Sequence, residues 1–395
     1  MFKYLLKRDT FLCTLLVFAL MGLLSLIPFN THVLDPIKMA LQDFDYNDLV
    51  YAQMGKNKAS GVDTGIAIVN IEDADRAGIV QVLEKIAAQK PAAIGVDVLF
   101  NAPREAATDS ALQSFFTQNK NAVLAYHLQW NKENAEAQGF LYPQVATKGF
   151  VNFVGEDGGV IRHFIPSVKA DDGTLYESFA KQIVSIADAD AARNLEKRSS
   201  AVETILYSRT PDKYLQLSGT ELMSDSSIAV SLHNKIVLVG FVSPHAANIE
   251  DKHFTPFNAK SVGKSVPDMN GIFIHANIIS MIKAGTFVAK TPAWFNWLLA
   301  ILLCWLHMAI FIRYFLDKHL RFHLVAKTVQ VVSAVLFVYL GLLFYYKWDI
   351  KINLIPVFVA IILAVDVLYF YEAILAWLHK KWGVSSIFIR HHHGH

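Results

Sequence analysis

Cysteine is almost missing from this chain. Its 395 residues include two, Cys13 and Cys304, and each lies inside a long apolar stretch. The polar part of the sequence therefore has no disulfide framework, no cysteine nucleophile and no thiolate metal site. Charge of one sign is equally scarce: 36 Lys and Arg stand against 34 Asp and Glu, a net +2, so no basic field invites nucleic acid. There is no phosphate-binding loop, dinucleotide glycine motif, serine elbow or zinc-ligand spacing. Gly155 to Gly159 is too short and too hairpin-like to cradle a phosphate. Neither a cofactor nor a metal is expected. What is abundant is apolar surface: 53% of residues are hydrophobic and the mean hydropathy is +0.33, above the range of soluble proteins.

That excess resolves into spans, since a bilayer core needs roughly 20 apolar residues in helical form. Residues 11–29 follow Lys3, Lys7 and Arg8. The stretch is long for a signal peptide and no small-residue cleavage site follows, so it reads as an uncleaved anchor. Three more apolar runs occupy 293–313, 324–346 and 353–379. Lys and Arg collect in the 314–323 loop, with flanking Arg313, and in the 380–395 tail, whereas 347–352 is short and mixed. The positive-inside rule then places residues 1–10, 314–323 and 380–395 in the cytoplasm and residues 30–292 outside, in a bacterial periplasm. Trp294, Trp297, Tyr345, Tyr346, Trp348 and Trp377 mark the interfaces.

The 30–292 segment reads as an α/β domain with a mainly parallel sheet and a β-hairpin. Thr64 to Ile71, Ala92 to Phe100 and Ala122 to Leu128 are β-rich apolar runs without alternation, as in strands buried on both faces. Helical spacing at Arg76 to Gln89 and a helix opening at Asp109 separate them, the signature of right-handed crossovers. Gly149 to Phe153 and Val160 to Phe164 flank Glu156-Asp-Gly-Gly159, a hairpin signal. A helix over Leu175 to Asp188, a polar surface excursion over 189–230, a buried strand at Lys235 to Gly240 and a helix over Ile274 to Ile282 complete the domain.

Several residues carry candidate chemistry. Asp97 sits in an apolar strand, where a carboxylate needs a partner or a raised pKa; it either binds a ligand at the carboxyl edge of the sheet or bonds nearby amides or a lysine. Glu72, Asp73 and Asp75 end the first strand and either hold a cation or form a solvated turn and helix cap. Asp251, His253 and Thr255 bring a carboxylate, an imidazole and a hydroxyl together; Asp251 and His253, two apart on an extended segment, face the same side, as a metal or acid–base pair or as a loop-stabilising network. In the last span, Asp366 and Glu372 are carboxylates at membrane depth, the usual mark of a packed interior or a partner contact. The tail His391-His-His-Gly-His395 is either a weak metal ligand, an appended tag or a loose end.

Six segments in order resemble a known family. They are Ala67-Ile-Val-Asn-Ile-Glu-Asp73, Ile94-Gly-Val-Asp-Val-Leu-Phe100, Gly149-Phe-Val-Asn-Phe153 with Asp157-Gly-Gly-Val-Ile-Arg162, Lys235-Ile-Val-Leu-Val-Gly240, Asp251-Lys-His-Phe-Thr-Pro256, and Gly271-Ile-Phe-Ile-His-Ala-Asn277. With three spans following, they resemble the second class of CHASE domains, extracytoplasmic sensory modules of bacterial histidine kinases and nucleotide cyclases. The resemblance implies a periplasmic sensor between one anchor and a three-helix membrane unit. Two features depart from the family pattern. Asp73 runs almost directly into Arg76, where relatives usually carry a Trp-, Pro- and Arg-rich stretch. Only about 16 residues follow the last span, fewer than a kinase or cyclase output module needs. The expectation is a non-enzymatic sensor or adaptor subunit of the inner membrane. It would take an unidentified small-molecule ligand, with Glu72, Asp73, Asp97, Asp251, His253 and Thr255 as its candidate site. It would act through a membrane or periplasmic protein partner or as a homo-oligomer, with Asp366 and Glu372 as membrane contacts. The alternatives are a scaffold subunit of an envelope complex and a periplasmic hydrolase using Asp97, Asp251 and His253.

Overall fold

A computed structural model describes residues 2–26, 46–57, 61–130, 135–139, 145–154, 159–198, 200–224, 230–243, 249, 251–258, 266–317 and 321–392. The chain divides into two compact units: residues 39–288, and residues 1–38 together with 289–395.

The first unit is a three-layer α/β domain. Its strands in chain order are β1 (Asp63–Asn70), β2 (Ala93–Asp97), β3 (Ala122–Trp130), β4 (Ala135–Gln138), β5 (Lys148–Phe150), β6 (His163–Phe164), β7 (Ser167–Lys169), β8 (Leu175–Glu177), β9 (Glu203–Thr204), β10 (Tyr214–Ser218), β11 (Ile236–Gly240), β12 (Lys252–His253) and β13 (Met269–Asn270). Its principal helices are α1 (Arg76–Ala88), α2 (Ala106–Gln118), α3 (Phe179–Ala187), α4 (Ala189–Glu196), α5 (Gly219–Met223) and α6 (Gly271–Ala284). A seven-stranded sheet runs β10-β1-β11-β2-β3-β4, with β5 also on β3; every pairing is parallel except β3 with β4.

One sheet face, with Ala67, Val69, Ile94, Val96, Val237 and Val239, packs on Ile79, Val82, Leu83 and Ile86 of α1 and on Leu112, Phe115 and Phe116 of α2. The other face meets α3. A methyl group on Gly95 would stand 2.4 Å from Ile183 Cδ1, and one on Gly149 would stand 2.4 Å from Phe179 Cα. Both glycines are therefore required by close approach rather than by backbone conformation. Arg162 makes a buried two-pronged ion pair with Asp48, Nε to Oδ1 at 3.0 Å and Nη2 to Oδ2 at 2.6 Å. The fork-shaped guanidinium matches a carboxylate in this geometry.

The strand–helix–strand–helix–strand opening is present, with several differences in detail. The second strand ends at Asp97, so this residue closes the strand instead of lying within it. The second helix starts at Ala106 rather than at Asp109; Asp109 instead accepts from the Arg104 amide and pairs with Arg76. The segment from Leu175 begins as strand, and Ser178 caps the helix that follows. The expected polar excursion at 189–230 supplies α4 and the sheet-edge strand β10. Its polarity is that of an edge, where one side stays wet. The two arms expected to form a hairpin share one antiparallel bridge, Val154 with His163; Glu156, Asp157 and Gly158 lie outside the described residues. Among the described residues β7–β8 forms a continuous hairpin, turning at Gly173, whose φ is +88°.

The second unit has four helices long and apolar enough to cross a membrane: TM1 (Arg8–Ser25), TM2 (Ala293–Asp317), TM3 (Phe322–Trp348) and TM4 (Ile355–Trp382). TM1, TM2 and TM4 share a core around Cys13, Val17, Cys304, Met308, Val357, Ala360 and Ala364. The small residues let helices approach closely where no hydrophobic effect drives them together. At one end of this unit, Asp9 of TM1 accepts from Tyr371 Oη at 2.8 Å and from Ser386 Oγ at 2.7 Å, so the start of TM1 meets the end of TM4. TM1 stops at Ser25, and the 27–29 stretch lies outside the described residues, as do Lys318 and His393 to His395.

Candidate functional site

Parallel strands all end on one edge of a sheet, and open α/β sheets bind ligands outside that edge. Here that edge opens into a cleft of about 510 Å³. The strand ends supply Ile71 after β1, Asp97, Val98 and Leu99 at β2, His127 on β3, Val151 and Phe153 after β5, and Phe241 after β11. Asp251, His253, Gly271 and His275 complete the lining from β12 and the start of α6. Gly271 keeps this floor open. A methyl group there would sit 3.5 Å from Phe153, 3.6 Å from His253 Nε2 and 3.8 Å from Asp251 Oδ1.

Asp97 is half-buried at the carboxyl end of β2. Burial, and then the neighbouring Asp251 charge, push its pKa up to about 7. Neither the amide bonds nor the lysine that would neutralise it is found among the described residues. His275 is 4% exposed, and its Nδ1 has no hydrogen-bond partner among the described residues. Its ring lies 4.6 Å from that of Phe153 and 5.2 Å from that of Phe179. Burial, helped by His253, takes its pKa down to about 3, so the ring is neutral. Burial also holds His253 below the ordinary imidazole range. His127 accepts at Nδ1 from Asn152 Nδ2 at 3.2 Å.

The structure thus brings together Asp97, Asp251 and His253 of the expected site. Asp251 reaches the cleft from a left-handed backbone, φ +56°, so it and His253 converge without the regular extended alternation on which the pairing was predicted. The other three residues lie elsewhere. Thr255 is buried and donates from N and Oγ1 to Asp268 at 2.8 and 2.5 Å; burial raises Asp268 to about 6, against those bonds. Glu72 binds Ser218 Oγ at 2.7 Å and the Thr220 hydroxyl, fastening β1 to the edge strand. These bonds lower its pKa. Asp73 is exposed beside it, and Asp75 caps α1 through Gly78 N at 2.8 Å. Sequence reading missed His275 and Phe153. Both stood in quoted motifs, but a histidine on an apolar helix gives no sign of whether it faces a cleft.

In the membrane unit, Asp366 is exposed on TM4. Nearby, Gln330 Nε2 of TM3 donates to Ile361 O of TM4 at 2.9 Å and Tyr369 Oη pairs with His323 Nε2 at 2.8 Å. Glu372 is half-buried one and a half turns beyond Asp366.

Among the described residues no group of three or more His, Cys, Asp or Glu side chains could hold a metal ion. No curated protein and no solved structure matches this chain. A family model described as the CHASE2 domain matches residues 14–311. That match spans about three quarters of the sequence and takes in the sheet, the cleft and most of the first two long apolar helices: the chain belongs to the CHASE2 family of extracytoplasmic sensory domains.

Proposed function

We propose that this protein is a sensor or adaptor subunit of a bacterial inner membrane. Its α/β domain lies in the periplasm and both ends lie in the cytoplasm. The domain takes a small molecule in the cleft, and the signal passes through the membrane helices to a separate partner protein. The observation that carries the reading is the cleft itself. Five strand ends and the start of α6 converge on it, and α6 leads along the chain into TM2. The Lys and Arg distribution supports the orientation, and the Asp9 bonds to Tyr371 and Ser386 support termini on one side. TM3 buries 11% of its apolar window against 44% for TM2 and TM4. With Asp366 exposed on TM4, this supports the TM3–TM4 face as the partner contact, with Glu372 at its edge.

The test fuses the full chain ahead of the cytoplasmic core of a histidine kinase and measures autophosphorylation in membranes. The small-molecule fraction of a periplasmic extract should change the output, and Gly271→Ala, which adds a methyl group to the cleft floor without steric conflict, should abolish that change. Output indifferent to the fraction would favour a scaffold that senses nothing. Alkaline phosphatase fused after residue 392 should be inactive; activity would reverse the orientation.

A further inference from the structure

We infer that the cleft at the carboxyl edge of the sheet recognises a small organic cation: a primary or secondary ammonium group carried on a short apolar body. The inference rests on the sensor reading and names its ligand class. Among the described residues the lining contains two carboxylates, Asp97 and Asp251, and no lysine or arginine. Asp97 has no hydrogen-bond partner among the described residues, although a half-buried carboxylate needs one. Burial disfavours the charged forms of His253 and His275, the imidazoles that would otherwise neutralise it, and His127 Nδ1 accepts from Asn152 Nδ2.

A ligand that completes this site must bring positive charge and N–H donors. An ammonium does both, giving Asp97 the charge-assisted bond that the protein itself does not supply. The rest of the lining selects the body of the ligand. Phe153 and Phe241 offer aromatic rings, to which a desolvated cation is attracted, and Ile71 and Val151 offer apolar surface. The second observation that points to a ligand is His275. Its ring is buried in the cleft lining with Nδ1 unpartnered among the described residues, and buried polar atoms are rarely left so. A second polar atom on the ligand, or a water carried in with it, would satisfy that nitrogen. A divalent metal ion is the competing cation, but the geometry gives it no group of three ligands among the described residues.

The test uses the full chain in detergent at pH 8, where Asp97 is largely ionised, and follows thermal melting with n-butylamine, n-butanol, butyrate or calcium chloride at equal millimolar concentrations. Butylamine should raise the melting midpoint; the other three should not. Asp97→Asn, nearly the same shape but uncharged, should weaken the apparent affinity at least about tenfold, the loss expected of a hydrogen bond to a charged group. Gly271→Ala should weaken it while leaving the melt of the free protein unchanged. An equal shift with butanol, a shift with calcium alone, a butylamine shift that survives Asp97→Asn, or no shift at all would each overturn the inference. If the amine fails while the kinase fusion still answers the periplasmic fraction, the ligand class is wrong and the sensor stands. If the fusion answers neither, the sensor reading falls with it.

Discussion

Replacing Asp97 with asparagine should stabilise this protein at alkaline pH and leave it unchanged in acid. In the folded state burial and Asp251 move the Asp97 pKa from 3.8 to about 7; in the unfolded chain it returns to about 3.9. Between those values the folded protein holds a proton that the unfolded chain has released, so stability falls as pH rises through this window and levels off above about 7. A shift of about three units corresponds to about 4 kcal/mol at full value. Asp97 is only half-buried, and solvent screening reduces the figure to about 2–3 kcal/mol. Asparagine keeps the shape and removes the titration. Every other ionisable group is common to both proteins, so the difference between the two melting curves reports Asp97 together with its coupling to Asp251. At about 2–4 °C per kcal/mol for a domain of this size, the variant should melt about 4–12 °C higher at pH 8.5 and within about a degree of wild type at pH 4. A variant equally or less stable at pH 8.5 would show that the Asp97 carboxylate is satisfied in the folded protein, and the physical basis of the cleft argument would be lost.

Asp48→Ala should destabilise the domain by about 3–5 kcal/mol, because Arg162 would keep a buried charge without its two-pronged partner; chemical denaturation followed by tertiary-structure signals measures this, and a loss under about 1 kcal/mol would mean that Arg162 is already neutralised elsewhere. Gly149→Ala places a methyl group 2.4 Å from the Phe179 backbone. The backbone cannot step aside as a side chain can, so a loss at the upper end of the usual overpacking cost, about 3 kcal/mol, should appear in the same assay; a neutral result would mean that α3 packs farther from β5. In the membrane unit, Asp366→Asn should preserve any co-purifying assembly and Asp366→Leu should lose it, read by native mass spectrometry from mild detergent. A Leu variant that stays assembled and is simply more stable would show that Asp366 is tolerated rather than used.

The spans were legible because twenty apolar residues in a row have one physical use. The buried strands were legible because an apolar run without alternation marks burial on both faces, as at Ile236 to Gly240. What escaped was whatever depends on partners far away in sequence. β10 reads as polar because an edge strand keeps one side wet, and only its register with Ala67 to Asn70 identifies it. Leu175 to Glu177 reads as the start of a helix until Ser167 to Lys169 pairs with it. In the site, Asp97 stood out because a carboxylate in an apolar strand is costly wherever it occurs. His275 did not, since its meaning depends on Phe153, 122 positions earlier. Glu72 and Thr255 looked equally suitable as ligands in sequence, and only their bonds to Ser218, Thr220 and Asp268 assign them to holding the fold.

The central claim is that events in the cleft reach the membrane helices, and amide hydrogen exchange of the full chain in lipid nanodiscs at pH 8 tests it directly. Comparing wild type with Asp97→Asn changes one charge at the cleft and nothing in the membrane. A sensor predicts altered protection at β2 that continues through Gly271 to Ala284 of α6 and into the first turns of TM2, residues 293–300. Altered protection confined to β2 and the cleft lining, with α6 and TM2 exchanging as in wild type, would contradict the account and leave the domain as a passive scaffold.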